Sequence, residues 1–184
     1  IAANLAAAPA LMGNVVVWKP ASSSVLSNYW LMKLYEEAGL PPGVINFIPG
    51  SAREITGALL SRPDFAGLHF TGSTAVFNSL WQKSAENLSV YKSYPRIVGE
   101  TGGKDFILVL PDAEPESAVA GIVRGAFEYQ GQKCSAASRL YLPRSRADEL
   151  LPRLVAEIKA IRVGSPLDGS NFVNAVIDEG AFKT

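Results

Sequence analysis

Cys134 is the only cysteine among the 184 residues and His69 the only histidine, so thiol chemistry and imidazole chemistry each rest on a single side chain. The cysteine lies in YQGQKCSAASR, residues 129–139, among glycine, glutamine and small side chains instead of an apolar run. A lone thiol is ordinarily a small buried hydrophobe. This setting describes a tight, accessible loop, as a reactive thiol needs, although an incidental cysteine fits the residue types too. His69 sits inside an apolar run beside Phe70 and reads as structural, so no Cys-His pair is expected. Glu100 is the candidate base, flanked by Gly99 and by Thr101-Gly102-Gly103. Such glycines let the backbone pass close to a ligand, and a carboxylate at a cleft mouth can take a proton from water or a thiol. A salt bridge or turn acid is the plain alternative. Lys19 ends an apolar segment, where its ammonium can reach a ribose hydroxyl or a phosphate, or simply stay solvated. FTGST, residues 70–74, joins an apolar segment to a helical one, with Gly72 allowing close approach and Ser73 able to donate or cap. A helix N-terminus at the end of a parallel strand attracts phosphate, though an ordinary capped turn has the same wording.

The elements that must position these groups alternate. A strand at 15–18, uniformly apolar as in a sheet covered on both faces, is followed by a helix at 22–38 with Ser22, Ser23 and Ser24 as possible N-caps and Gly39 as its stop. A strand at 44–48, a capping box at Ser51 to Glu54 and a helix to about 62 come next. A strand at 67–70 and a helix from 73 to about 88 complete three strand–helix units. That order implies an α/β fold with a Rossmann-like open parallel sheet. A short strand at 96–98 ends before Glu100. The double glycine then marks a boundary near 101, dividing a partial dinucleotide-binding domain (1–100) from the start of an α/β catalytic domain (101–184). The second part is expected to contain strands at 105–110 and 139–142 and helices at 115–129 and 147–161. No G-x-G-x-x-G is present, so any dinucleotide binds by another variant.

Composition narrows the partners. Seventeen basic residues balance seventeen acidic ones without a basic block, which argues against nucleic acid and membrane surfaces. One cysteine and one histidine make neither an internal disulfide nor a zinc tetrad, so no metal is expected and a reducing compartment, cytoplasm or mitochondrial matrix, fits. With 48% apolar residues the chain can bury a substantial core. The apolar start is broken by Asn4, Pro9 and Gly13-Asn14 and reads as a buried helix, neither signal nor anchor. Both ends fall in mid-pattern, as in a piece of a longer protein.

Taken together, Lys19-Pro20, FTGS at 70–73, GETGGK at 99–104 and GQKCSAASR at 131–139 resemble the aldehyde dehydrogenase superfamily, in order and over essentially the whole chain. The spacing from Glu100 to Cys134 is also that family's usual one. Longer segments, FEYQGQKCSAASRLYLP among them, are similar to its branch that oxidises glutamate γ-semialdehyde to glutamate, the last step of proline breakdown. The resemblance implies that Cys134 is the nucleophile, forming a thiohemiacetal and then a thioester, and that Glu100 activates the water that hydrolyses it. It implies that the Cys134 backbone N–H donates to the oxyanion and that Ser135 helps hold the substrate carboxylate. It further implies NAD, or NADP, held by Lys19 and Ser22 at the ribose and by Gly72, Ser73, Thr74, Ala75 and Val76 at the pyrophosphate. A homo-oligomer acting on a small aldehyde is expected.

The chain departs from the family pattern in places. Ser22 stands where many relatives carry an acid that disfavours NADP, and Phe77 where many carry glycine, although the branch this chain resembles often has a bulky residue there. The family's asparagine oxyanion donor is expected before Ile1, and its second ribose-binding glutamate beyond Thr184. An aldehyde dehydrogenase with a different substrate and a non-catalytic cofactor-binding or assembly fragment are the alternatives.

Overall fold

Short apolar runs bounded by turn residues form the strands of this protein, and longer runs with one polar face form its helices. A computed structural model describes residues 1–183. The chain divides into two compact units, Ile1–Thr101 and Gly102–Thr184.

The first unit runs α1 (Ala2–Leu11), β1 (Val16–Trp18), a 3₁₀ turn (Ser22–Ser24), α2 (Val25–Glu37), β2 (Ile45–Phe47), α3 (Ala52–Leu60), β3 (Gly67–Thr71), α4 (Thr74–Glu86) and β4 (Arg96–Glu100). β1 pairs with β2 and β3 with β4, both parallel, as the helical crossovers require. The expected parallel α/β arrangement is present, but the strands form separate two-stranded ladders instead of one continuous sheet. Helix α1 lies against β1, β2 and β3 and so spans both ladders. Ala6, Trp18 and Ile45 form a buried cluster on which Leu31, Met32 and Tyr35 of α2 also pack. Burying a large apolar side chain contributes roughly 1.5–3 kcal/mol, so this cluster is what fixes α2 over the first ladder.

Two expectations differ from what the described residues show. Among them β1 is covered on one face: Val16 and Trp18 turn inward, and the alternation of a strand sends Val17 to the other side, 36% exposed. Helix α1 is not a buried helix either, since only Ala6 is buried while Leu11 and Met12 project outward. Its alanine-rich face suits close packing and leaves little large apolar surface to enclose.

The second unit runs β5 (Asp105–Leu108), α5 (Pro115–Phe127), a 3₁₀ turn (Glu128–Gly131), β6 (Ala137–Tyr141), α6 (Arg144–Ala160) and the short α7 (Glu179–Phe182). β5 and β6 pair in parallel, with an irregularity between Asp105 and Phe106. Val109, Val119, Ile122, Leu150 and Leu154 make the core, joining α5 and α6 to that ladder. Glu114 starts α5 by accepting from the Glu116 and Ser117 N–H groups at 3.0 and 2.7 Å, and these bonds hold its carboxyl below the usual range. Helix α5 stops two residues earlier than its pattern predicts because Glu128 (φ −55, ψ 136) already leaves helical space. Helix α6 begins three residues before the expected start, at Arg144, behind Pro143.

Candidate active site

β4 continues two residues past its predicted end, so Glu100 is the last residue of the strand and not part of the loop beyond it. The register explains why this matters. Thr71 pairs with Glu100, and the Gly72 N–H donates to the Glu100 carbonyl at 3.1 Å. The FTGST turn and Glu100 therefore share one end of one parallel ladder, the carboxyl end, where ligands bind in open α/β sheets. Glu100 is exposed there.

Ser73 caps α4, its Oγ accepting from the Val76 N–H at 3.3 Å. Thr74 and Ala75 follow the cap, and first-turn N–H groups have no intrahelical acceptor and carry the positive end of the helix dipole. The Thr71 hydroxyl, one residue before Gly72, is buried without a hydrogen-bond partner among the described side chains. These donors suit an anion or a sugar-phosphate edge.

Phe77, on the first turn of α4, is buried and lies over Gly99. A Cβ built on Gly99 would penetrate the Phe77 ring, so glycine is required at this position by close approach. The ring is itself held, stacked on Phe70 at 5.9 Å and edge-on to Trp81 at 5.5 Å. Phe77 thus fills space directly beside the backbone that carries Glu100.

Lys19 follows the carboxyl end of β1, is partly buried, and donates through its ammonium to the Pro20 carbonyl. Ser22 is exposed at the start of the 3₁₀ turn. None of the three serines caps α2 with its side chain; instead the buried Asn28 amide donates to the Ser24 carbonyl at 2.8 Å and to its Oγ at 3.0 Å. Ser22 is thereby left without a capping duty.

In the second unit Cys134 is exposed on the connection between the 3₁₀ turn and β6. The Ala136 N–H donates to the Lys133 carbonyl at 3.1 Å, closing a turn with Cys134 and the exposed Ser135 at its centre. Before it, Tyr129 (φ 55), Gln130 (φ 56) and Gly131 (φ 67) take left-handed backbone in succession. For Tyr129 and Gln130 that conformation costs on the order of 1–3 kcal/mol each. Several bonds hold it. The Gln132 N–H donates to the Tyr129 carbonyl at 3.0 Å, the Gln130 amide donates to Asn174, and the Gln132 Oε1 accepts from the Ile177 N–H at 3.0 Å. Lys133 bonds Glu128 at 2.7 Å, and that bond holds the Glu128 carboxyl below its ordinary range. From the other side Gly103 lies against the thiol turn: a Cβ there would stand 2.5 Å from the Cys134 carbonyl oxygen.

Sequence reasoning reads the double glycine as a boundary and does not see that Gly103 must make room for the Cys134 peptide. It also misses Phe77 over Gly99, and the partners of Gln130 and Gln132. A glutamine on either side of a glycine just before the only cysteine was the available signal. His69 lies in β3, half-buried and paired in register with Val98, in keeping with a structural place. Among the described residues no cluster of potential metal ligands exists.

A thiol on an exposed, braced turn can attack a carbonyl carbon, and a carboxylate beside a dinucleotide-suited turn can activate water. A family model described as "Aldehyde dehydrogenase family" matches residues 1–184. The delta-1-pyrroline-5-carboxylate dehydrogenase of Dictyostelium discoideum is 55% identical over 185 residues, covering 100% of this chain and 33% of that protein. The probable enzyme of the same name from Schizosaccharomyces pombe is 54% identical, with 100% and 34% covered. Among solved structures, the Mycobacterium tuberculosis delta-pyrroline-5-carboxylate dehydrogenase superimposes with a TM-score of 0.94 at 49% identity, over 100% of this chain and 34% of that one. The same protein bound with NAD gives 0.94 at 48%, with 99% and 34% covered. The chain thus spans about a third of the length of these relatives. Matched from end to end by the family model, and more than half identical to relatives along its whole length, the chain belongs to the aldehyde dehydrogenase family.

Proposed function

We propose that the complete protein carrying this chain oxidises glutamate γ-semialdehyde, in equilibrium with 1-pyrroline-5-carboxylate, to glutamate with NAD as oxidant. The observation that carries this reading is Cys134, exposed at the centre of a braced turn, in a chain whose relatives are named for that oxidation. The Cys134 thiolate attacks the aldehyde carbon, and the carbonyl oxygen becomes the alkoxide of a thiohemiacetal. The Cys134 backbone N–H serves as one donor to that oxyanion. Loss of hydride from the same carbon leaves a thioester on Cys134. Glu100 takes a proton from water, which attacks the thioester; the acid departs and the thiolate is restored. Ser135, next to the nucleophile, donates to the substrate carboxylate.

The residues present fit the cofactor. NAD, when bound, supplies the hydride acceptor. Lys19 and Ser22 hold its ribose end, and Gly72, Ser73, Thr74, Ala75 and Val76 its pyrophosphate. The α4 N-terminus and the unpaired Thr71 hydroxyl support that placement. NADP is accepted as well, since Ser22 lacks the charge that repels a 2′-phosphate. We place residues 1–100 in the cofactor domain and 101–184 in the catalytic domain. A mitochondrial matrix setting is supported by relatives named mitochondrial, a cytoplasmic one only by the single cysteine that suits a reducing compartment, and no helix among the described residues is long and apolar enough to cross a membrane. A homo-oligomer rests on the family resemblance.

The test is Cys134→Ala in the full-length protein, assayed with glutamate semialdehyde and NAD. Aldehyde oxidation is expected to vanish while NAD binding persists. Substantial turnover by this variant refutes the role of the thiol.

A further inference from the structure

The connection from Asn174 to Ile177 has no helix or strand of its own, lying between the Val163–Val173 bridge and α7, yet it meets the thiol loop twice. We propose that this segment holds the Cys134 loop in place, with Gln130, Gln132 and Asn174 acting as positioning residues for the thiol; the catalytic part of this rests on Cys134 being the nucleophile.

Three consecutive left-handed residues do not persist unless their surroundings determine them, and local bonds alone leave the loop free to relax as a unit. The two glutamines flank Gly131 and fasten it from outside. Gln130 reaches the Asn174 side chain, and Gln132 accepts the Ile177 N–H. Gln130 and Asn174 are partly buried and so is the bond between them, so water competes less well for it than at an open surface, whereas the Gln132–Ile177 bond is exposed. Cys134 follows Gln132 by two residues, and its own peptide is confined on the far side by Gly103. A displacement of even about 1 Å in a reacting group costs on the order of 100-fold in rate, which is why a loop holding a nucleophile gains from such fastening. Neither partner of the Gln130–Asn174 pair titrates in the working range, so it acts without changing the protonation of the site.

The experiment uses the full-length protein in four forms: parent, Gln130→Ala, Asn174→Ala and the double variant. Amide hydrogen exchange of a peptide spanning residues 128–136 is measured beside kcat, the KM for NAD and the melting temperature. Each single variant is expected to speed exchange in that peptide at least tenfold and to lower kcat at least tenfold, with the KM for NAD within twofold and the shape of the pH profile retained. The double variant should be no worse than the weaker single one, because both break the same bond. Gln130→Asn combined with Asn174→Gln shifts one methylene across the pair and should regain most of the lost kcat. Unchanged exchange, losses that multiply in the double variant, or kcat and NAD affinity falling together with the melting temperature would overturn the tether. Should Gln130→Ala fail to fold, Asn174→Ala, outside the left-handed turn, decides the matter by the same readings. Faster exchange in a protein that oxidises no aldehyde, parent included, would refute the proposed function and not the tether.

Discussion

Gly99→Ala should destabilise the protein even though it adds a single methyl group in a strand. Alanine is ordinarily better than glycine there by about 0.5–1 kcal/mol, because it loses less backbone entropy on folding. Against that, the three atoms nearest to the new Cβ all belong to the Phe77 ring, at separations that real side chains do not reach. The ring cannot swing aside freely, since Phe70 stacks on it and Trp81 meets its edge. Forcing extra volume into so confined a place costs about 1–3 kcal/mol. The net loss should therefore be about 1–2 kcal/mol, measured by urea unfolding of the full-length protein with an unchanged m-value. Shrinking the obstacle gives the decisive comparison. Phe77→Leu alone is destabilising, but with Gly99→Ala it relieves the clash, so the pair should be less harmful than the sum of its parts by at least about 0.5 kcal/mol. Because Glu100 is the next residue, kcat should follow the same pattern. A Gly99→Ala protein as stable as the parent, or a strictly additive pair, would show that Phe77 does not occupy the space over Gly99.

Glu100→Gln keeps the shape but removes the base, so a rapid burst of NADH followed by slow steady turnover is expected in stopped-flow traces; normal turnover at saturating NAD would refute its role in deacylation. Ser22→Glu should raise the KM for NADP far more than that for NAD, since a carboxylate repels a 2′-phosphate and still accepts from ribose hydroxyls; equal effects would place Ser22 away from the ribose. Ser73→Ala removes the α4 cap, which should cost about 1 kcal/mol in unfolding free energy and weaken NAD binding measured by calorimetry, whereas unchanged affinity would separate the cap from the cofactor.

The fold class and the candidate residues were legible because they rest on local chemistry. Alternating apolar runs and helix caps such as Ser51 and Ser73 locate elements, and the wording around Cys134 sets it apart from a core cysteine. What escaped was decided by contacts between distant segments. Glu100 reads as lying beyond its strand because Gly99 and Thr101-Gly102 look like loop residues; only pairing with β3 extends the ladder to it. Val17 reads as buried with its neighbours, and strand alternation sends it outward. The end of α5 at the extended Glu128 is followed by left-handed backbone at Tyr129 and Gln130, which their residue types disfavour and which remote partners at Asn174 and Ile177 stabilise.

The bond from the Gly72 N–H to the Glu100 carbonyl, together with the Thr71–Glu100 pairing, bears on how much change this part of the protein tolerates. The turn and the carboxylate are far apart along the chain, with α4 and the segment that follows it between them. Their mutual placement is set by the ladder and not by the length of that intervening stretch. Residues added or lost around 87–95, where the chain returns to β4, should leave the two in place as long as the ladder keeps its register. A single residue inserted within β4 would instead turn Glu100 to the opposite face. Length variation among natural sequences related to this one is therefore expected to gather in the return loop and to be excluded from the strand.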